Sequence, residues 1–110
     1  MKAKKSVNLE GVGFEIGYAL GVAEMVYFTN GARMVVTSAR DGKHSAKSLH
    51  YSGRAVDIRT RNLLPETLNR VFGALRKILE PAGFDVVPES DHIHIEFQPK
   101  AGERLYAVTE

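Results

Sequence analysis

His92-Ile93-His94-Ile95-Glu96-Phe97 is the stretch that decides the fold. A β-strand sends alternate side chains to opposite faces, so Ile93, Ile95 and Phe97 share one side and His92, His94 and Glu96 the other. One face suits a core, and the other can hold a metal. Just upstream, Phe84 to Val87 reads as a second strand, joined to the first by a turn marked by Pro88, Ser90 and Asp91. Arg54 to Arg59 reads as a short extended segment in which Val56 and Ile58 face the core while Ala55, Asp57 and Arg59 face outward. Further out, Arg33-Met34-Val35-Val36-Thr37-Ser38 has the β-branched density of a buried strand, and the polar segment Ala39 to Lys47 reads as a loop.

Two helices complete the pattern. The clearer one opens at Pro65, a residue suited to a first helical position, and places Leu68, Val71, Phe72, Leu75, Ile78 and Leu79 along one stripe before Pro81-Ala82-Gly83 stops it. The other runs from about Phe14 to Phe28, with Ile16, Ala19, Leu20, Ala23, Val26 and Tyr27 mostly at helical spacing and Asn30-Gly31 as the stop. Gly13, Gly17 and Gly21 recur every fourth residue, which in a globular chain points to close approach of a neighbouring element at some cost in helix propensity. The expected fold is α+β, with helices packed on one face of a small, largely antiparallel sheet. With 110 residues, no repeats and no linker-like stretch, residues 1–110 read as a single domain.

Composition narrows the function. The chain has no cysteine, so disulfides and thiolate ligands are excluded and any zinc site must use His, Asp and Glu. A net charge of +2 is spread along the chain without an arginine-rich arm, which argues against nucleic acid as a partner. No run approaches the roughly 20 apolar residues of a spanning helix. Glu10 and Glu15 interrupt the apolar stretch that a signal peptide would need after the basic start Met1 to Lys5. The expectation is a monomer that engages neither membrane nor nucleic acid and carries no export signal.

Zinc that does chemistry takes three protein ligands at about 2.0–2.2 Å and keeps a fourth position open. Strands hold such ligands rigidly. On spacing alone, His92 and His94 could equally be a solvated polar face, and a histidine seven residues before an aspartate, as in His50 and Asp57, is a loose pattern.

The stretch Ser48-Leu49-His50-Tyr51-Ser52-Gly53-Arg54-Ala55-Val56-Asp57 matches S-x-H-x-x-G-x-A-x-D, and Asp91-His92-Ile93-His94 matches D-H-x-H. Together they resemble the zinc peptidases that include D-alanyl-D-alanine carboxypeptidases, vancomycin-resistance D,D-dipeptidases and phage L-alanyl-D-glutamate endopeptidases. The first motif is also similar to the zinc site of the hedgehog signalling domain. The general resemblance spans roughly Met34 to Phe97, so the expected fold is hedgehog-like or D-Ala-D-Ala-peptidase-like.

The resemblance implies Zn2+ held by His50, Asp57 and His94. It also implies Asp91 as the carboxylate that takes a proton from zinc-bound water, with Glu89 and Glu96 as substitutes. Regular strand parity would point Asp91 away from His94, so that role needs an irregular entry to the strand. His92 corresponds to a non-ligand histidine that stabilises the transition state or positions substrate. Glu96 has a second reading as the partner that orients a ligand histidine. Arg40 resembles an arginine that binds substrate carboxylate or the oxyanion. Ser48 could hydrogen-bond a ligand or substrate, Gly53 permits the turn between His50 and Asp57, and His44 reads as solvated.

The function so implied is a zinc metallopeptidase, a cell-wall hydrolase of phage-lysin type. It would cut peptidoglycan stem peptides as a bacteriolytic endolysin or carboxypeptidase, held in the cytoplasm until released by a separate pore, or carried in the virion. The alternative is a hedgehog-like zinc-bearing binding module without catalysis.

Overall fold

The computed structural model describes residues 2–39 and 53–99. In chain order they form β1 (Lys2–Ala3), α1 (Phe14–Thr29), β2 (Val35–Ser38), β3 (Ala55–Arg59), α2 (Pro65–Leu79), a 3-10 turn (Glu80–Ala82), β4 (Phe84–Pro88) and β5 (His92–Phe97). The five strands make one sheet in the order β1-β2-β3-β5-β4. β1 runs parallel to β2, and the other three pairings are antiparallel. The α+β expectation therefore holds, with β1 as an addition that its two residues could not announce in sequence.

The two-residue alternation of His92–Phe97 and Ala55–Arg59 governs the packing. Ile93 and Ile95 of β5 and Val56 and Ile58 of β3 are wholly buried and join one core with both helices. From α1 come Ile16, Ala19, Leu20, Ala23, Val26 and Tyr27, and from α2 Val71, Leu75 and Leu79. The stripe on α2 is narrower than expected: Leu68 and Phe72 are half-buried, and Ile78 is exposed. Pro65 stands at the first turn of α2, where a missing N–H is harmless. Gly83, at φ 95°, turns the chain from the 3-10 turn into β4.

Helix α1 departs from the usual surface helix, because it is apolar almost all round. Phe14, Met25 and Phe28 are exposed, Phe28 with 80% of its surface open, while Tyr18 is part-exposed and stacks on the core residue Phe84 with ring centroids 6.2 Å apart. Of the spaced glycines, only Gly13 meets a close neighbour: a Cβ there would lie 3.1 Å from the Gly53 carbonyl oxygen. Among the described residues nothing lies within 4 Å of a Cβ built at Gly17 or Gly21. Among the described residues, the close-approach expectation thus holds at the helix entrance and finds no neighbour at Gly17 or Gly21.

With both helices on one side, the opposite face of β3 and β5 carries the polar residues. Two features fix this face. The Tyr27 hydroxyl, reaching from α1, donates to the Arg59 carbonyl at 2.8 Å and pins the end of β3. A bulge in β2 shifts the register between Val36 and Ser38, so that Ser38 stands opposite Asp57. Such a bulge re-aims side chains beside a site.

Candidate metal centre

Strands β3 and β5 are paired so that Asp57 lies opposite His94, Arg59 opposite His92 and Ala55 opposite Glu96. The sequence separates Asp57 and His94 by 36 residues, and the sheet makes them neighbours. Asp57 Oδ1 lies 2.8 Å from His94 Nδ1, and His94 Nε2 lies 2.7 Å from Glu96 Oε1. His92 extends the line: its Nδ1 is 2.7 Å from Asp91 Oδ1, and its Nε2 is 3.7 Å from Asp57 Oδ2. Three carboxylates and two imidazoles thus alternate across the outer face in the order Asp91, His92, Asp57, His94, Glu96.

Burial grades the members of this line. The Asp57 side chain is 13% exposed and that of Asp91 64%. Asp57 is therefore the carboxylate whose charge water compensates least. Its hydrogen bond with His94 is the main reason that imidazole's pKa rises to about 9; burial opposes the shift and Glu96 assists it. Asp91 is held below the usual carboxylate range, first by its hydrogen bond with His92 and to a smaller extent by the Arg61 charge.

Asp91 lies in the turn before β5, so the irregular entry anticipated for it is present. Even so, it reaches the centre of the line only through the ring of His92. Glu89 is exposed on the turn, its backbone N–H donating to the His92 carbonyl at 2.8 Å. Gly53 has φ +74°, and a Cβ there would come within 2.5 Å of the Gly11 carbonyl oxygen. It is therefore required both for its turn and for the close passage of the chain that leads into α1. His50, Arg40, Ser48 and His44 lie outside the described residues. Among the described residues, no three His, Cys, Asp or Glu side chains group so as to hold a metal by themselves.

Sequence reasoning missed the Tyr27 tether and the β2 bulge, neither of which has a local signal. The Glu96 contact was open to it, since residues two apart on a strand share a face.

Among the described residues, the helices cover one face of the sheet and an Asp–His pair lies on the other, and comparison with known proteins gives the class of domain to which this α+β fold belongs. The chain belongs to the hedgehog amino-terminal signalling domain family, whose profile matches residues 19–97. It is 38% identical over 81 residues to the Indian hedgehog protein of Gallus gallus, covering 72% of this chain and 19% of that protein. It is 38% identical over 79 residues to the Sonic hedgehog protein of Danio rerio (70% and 18%), and 39% identical over 77 residues to Protein hedgehog of Drosophila persimilis (68% and 15%). The chain spans about a fifth of the length of the curated relatives it matches.

These likenesses correct the expected activity. The matched family is one of signalling domains, so zinc metallopeptidase, peptidoglycan hydrolase, carboxypeptidase and bacteriolytic endolysin are overturned, and with them the cell-wall peptide as partner. The physical reason for the misreading is that a ligand set is a way of holding an ion, and the same spacing serves catalytic and non-catalytic domains. The catalytic roles given to Asp91, His92 and Arg40, the substrate contacts given to Arg40 and Ser48, and the phage-type location all depended on that reaction. The hedgehog-like alternative is the one the family supports. Among the described residues, no helix is long and apolar enough to cross a membrane.

Proposed function

We propose that this chain is a zinc-bearing binding module of the hedgehog type, a single unit over residues 1–110. His50, Asp57 and His94 hold one Zn2+, and the outer sheet face is the surface that meets a protein partner. The observation that carries the reading is the 2.8 Å approach of Asp57 Oδ1 to His94 Nδ1, with Glu96 holding the other ring nitrogen. Donors bonded to one zinc can be no more than about 4.2 Å apart, twice a typical bond length, and this pair meets that demand. A ligand histidine whose second nitrogen rests on a carboxylate has its ring orientation and tautomer set in advance. Charge argues the same way: three carboxylates share this line, and a divalent cation that displaces the His94 proton offsets part of their charge.

When bound, the ion supplies a cross-link between β3, β5 and the segment bearing His50, and its binding free energy adds to folding. The likeness to D-Ala-D-Ala peptidases is then a shared manner of holding the ion. Stripping the protein with a chelator, reloading it with zinc and measuring metal by elemental analysis should give one equivalent. His50→Ala, Asp57→Asn and His94→Ala should each lose the metal and the accompanying rise in Tm, whereas Asp91→Asn should keep both. A folded chain that takes up no zinc would overturn the metal site. Release of fragments from purified wall peptides by the zinc-loaded protein would overturn the non-catalytic reading.

A further inference from the structure

A second feature on the sheet uses none of the three expected metal ligands. Lys4, Thr37, Arg59, Arg61 and Asp91 line a recess of about 90 Å³, roughly the volume of three waters. The residues come from separate parts of the chain. Lys4 follows β1, its backbone N–H donating to the Val36 carbonyl at 2.9 Å. Thr37 occupies the β2 bulge, Arg59 ends β3, Arg61 lies just beyond it and Asp91 sits in the β4–β5 turn.

The walls are held in place. The Arg59 carbonyl accepts from Tyr27, and the Thr60 backbone N–H donates to the Asp91 carbonyl at 3.0 Å. The recess is thereby built before any ligand arrives, which lowers the cost of binding one.

Its charges do not balance. Three cations face one carboxylate, and that carboxylate is engaged by the His92 ring at 2.7 Å. Among the described residues, no ion pair or side-chain hydrogen bond occupies Lys4, Arg59 or Arg61. Two guanidinium groups and an ammonium around one carboxylate leave an excess of positive charge at the hollow, which a bound anion would offset. Guanidinium donors match the paired oxygens of carboxylate, sulfate and phosphate groups.

We propose that this recess binds an oxyanion: a carboxylate, sulfate or phosphate group, held by the charges that line it. Arg59 and Arg61 make the principal contacts and Lys4 adds charge. Asp91 weakens the site, so its removal strengthens binding. The recess needs no metal, and its test is independent of the zinc site.

The probes are sodium phosphate, sodium sulfate and sodium acetate, titrated into the isotope-labelled full chain at constant ionic strength and followed by NMR, with sodium chloride as reference. Saturable shifts confined to Lys4, Thr37, Arg59, Arg61 and Asp91 are expected with at least one oxyanion. Preference for phosphate or sulfate over acetate would identify a tetrahedral group, and the reverse a carboxylate. Arg59→Gln and Arg61→Gln should each weaken that binding on the order of tenfold, the scale of losing one charge-assisted contact. Asp91→Asn should tighten it several-fold, and a merely structural role for Asp91 would not produce that sign. The same titration on the chelator-stripped full chain should still saturate at the recess. Loss of saturation there, or shifts identical to those with chloride, would overturn the proposal.

Discussion

At the scale of single residues, His94 carries the most consequence. In the metal-free protein its imidazole is raised from 6.5 to about 9 by Asp57 first and Glu96 second. A raised folded-state pKa favours the native state while the ring is protonated. This contribution is complete below pH 6.5 and fades as pH climbs through about 9. Metal-free protein should therefore lose stability across that window, as chemical denaturation at a series of pH values would register. Zinc must displace the same proton, so its affinity should rise by about tenfold per pH unit until the ring is neutral. Competition with a chromogenic chelator across the window measures that slope. Glu96→Gln removes the carboxylate that meets His94 Nε2 at 2.7 Å and should weaken zinc about 10- to 100-fold without unfolding the chain.

At the scale of elements, the open sheet face depends on what grips it from below and from the side. Tyr27 is fully buried, and its hydroxyl proton is committed to the Arg59 carbonyl. Burial also raises the hydroxyl's pKa well above its ordinary value. Tyr27→Phe should cost about 1 kcal/mol, the net worth of one such hydrogen bond, read as a shift in urea midpoint with unchanged slope. Gly53 is less forgiving. Its φ of +74° would cost an alanine about 1–2 kcal/mol, and the Cβ would also strike the Gly11 carbonyl. Gly53→Ala should thus lower Tm more than Tyr27→Phe does, because backbone on both sides must move.

At the scale of the whole molecule, the two sides of the sheet divide the labour. Ile93, Ile95, Val56 and Ile58 hold the helices, and the residues between them in sequence hold the site. Ile95 is fully buried on β5, flanked by Val56 of β3 and Val86 of β4. Ile95→Ala should cost about 2–5 kcal/mol through lost burial and the cavity left behind. Phe28 is large and apolar yet 80% exposed on α1. Phe28→Ser should stay within about 0.5 kcal/mol of the parent protein, measured by the same unfolding assay. The contrast separates apolar residues that sustain the fold from those that only cover α1.

Alternation in His92–Phe97 and in Ala55–Arg59 was enough to assign the strands, the core face and the polar face, because a strand's period of two is a local property of the backbone. The stop signals at Asn30-Gly31 and Pro81-Ala82-Gly83 likewise bounded both helices within a residue or so. The resemblance carried by the two motifs made a metal site the leading expectation, but the ligand set it implied could not tell hydrolase from binding module. That choice followed from the family match over residues 19–97. Register is not local. Which residue stands across from Asp57, where β2 bulges, that Tyr27 reaches Arg59 and that Lys4 meets Arg61 at one hollow all depend on segments distant in the chain being pressed onto a common core. Only the tertiary structure decided these, since the burial that aligns the strands acts on the assembled sheet and leaves no mark in a window of neighbouring residues.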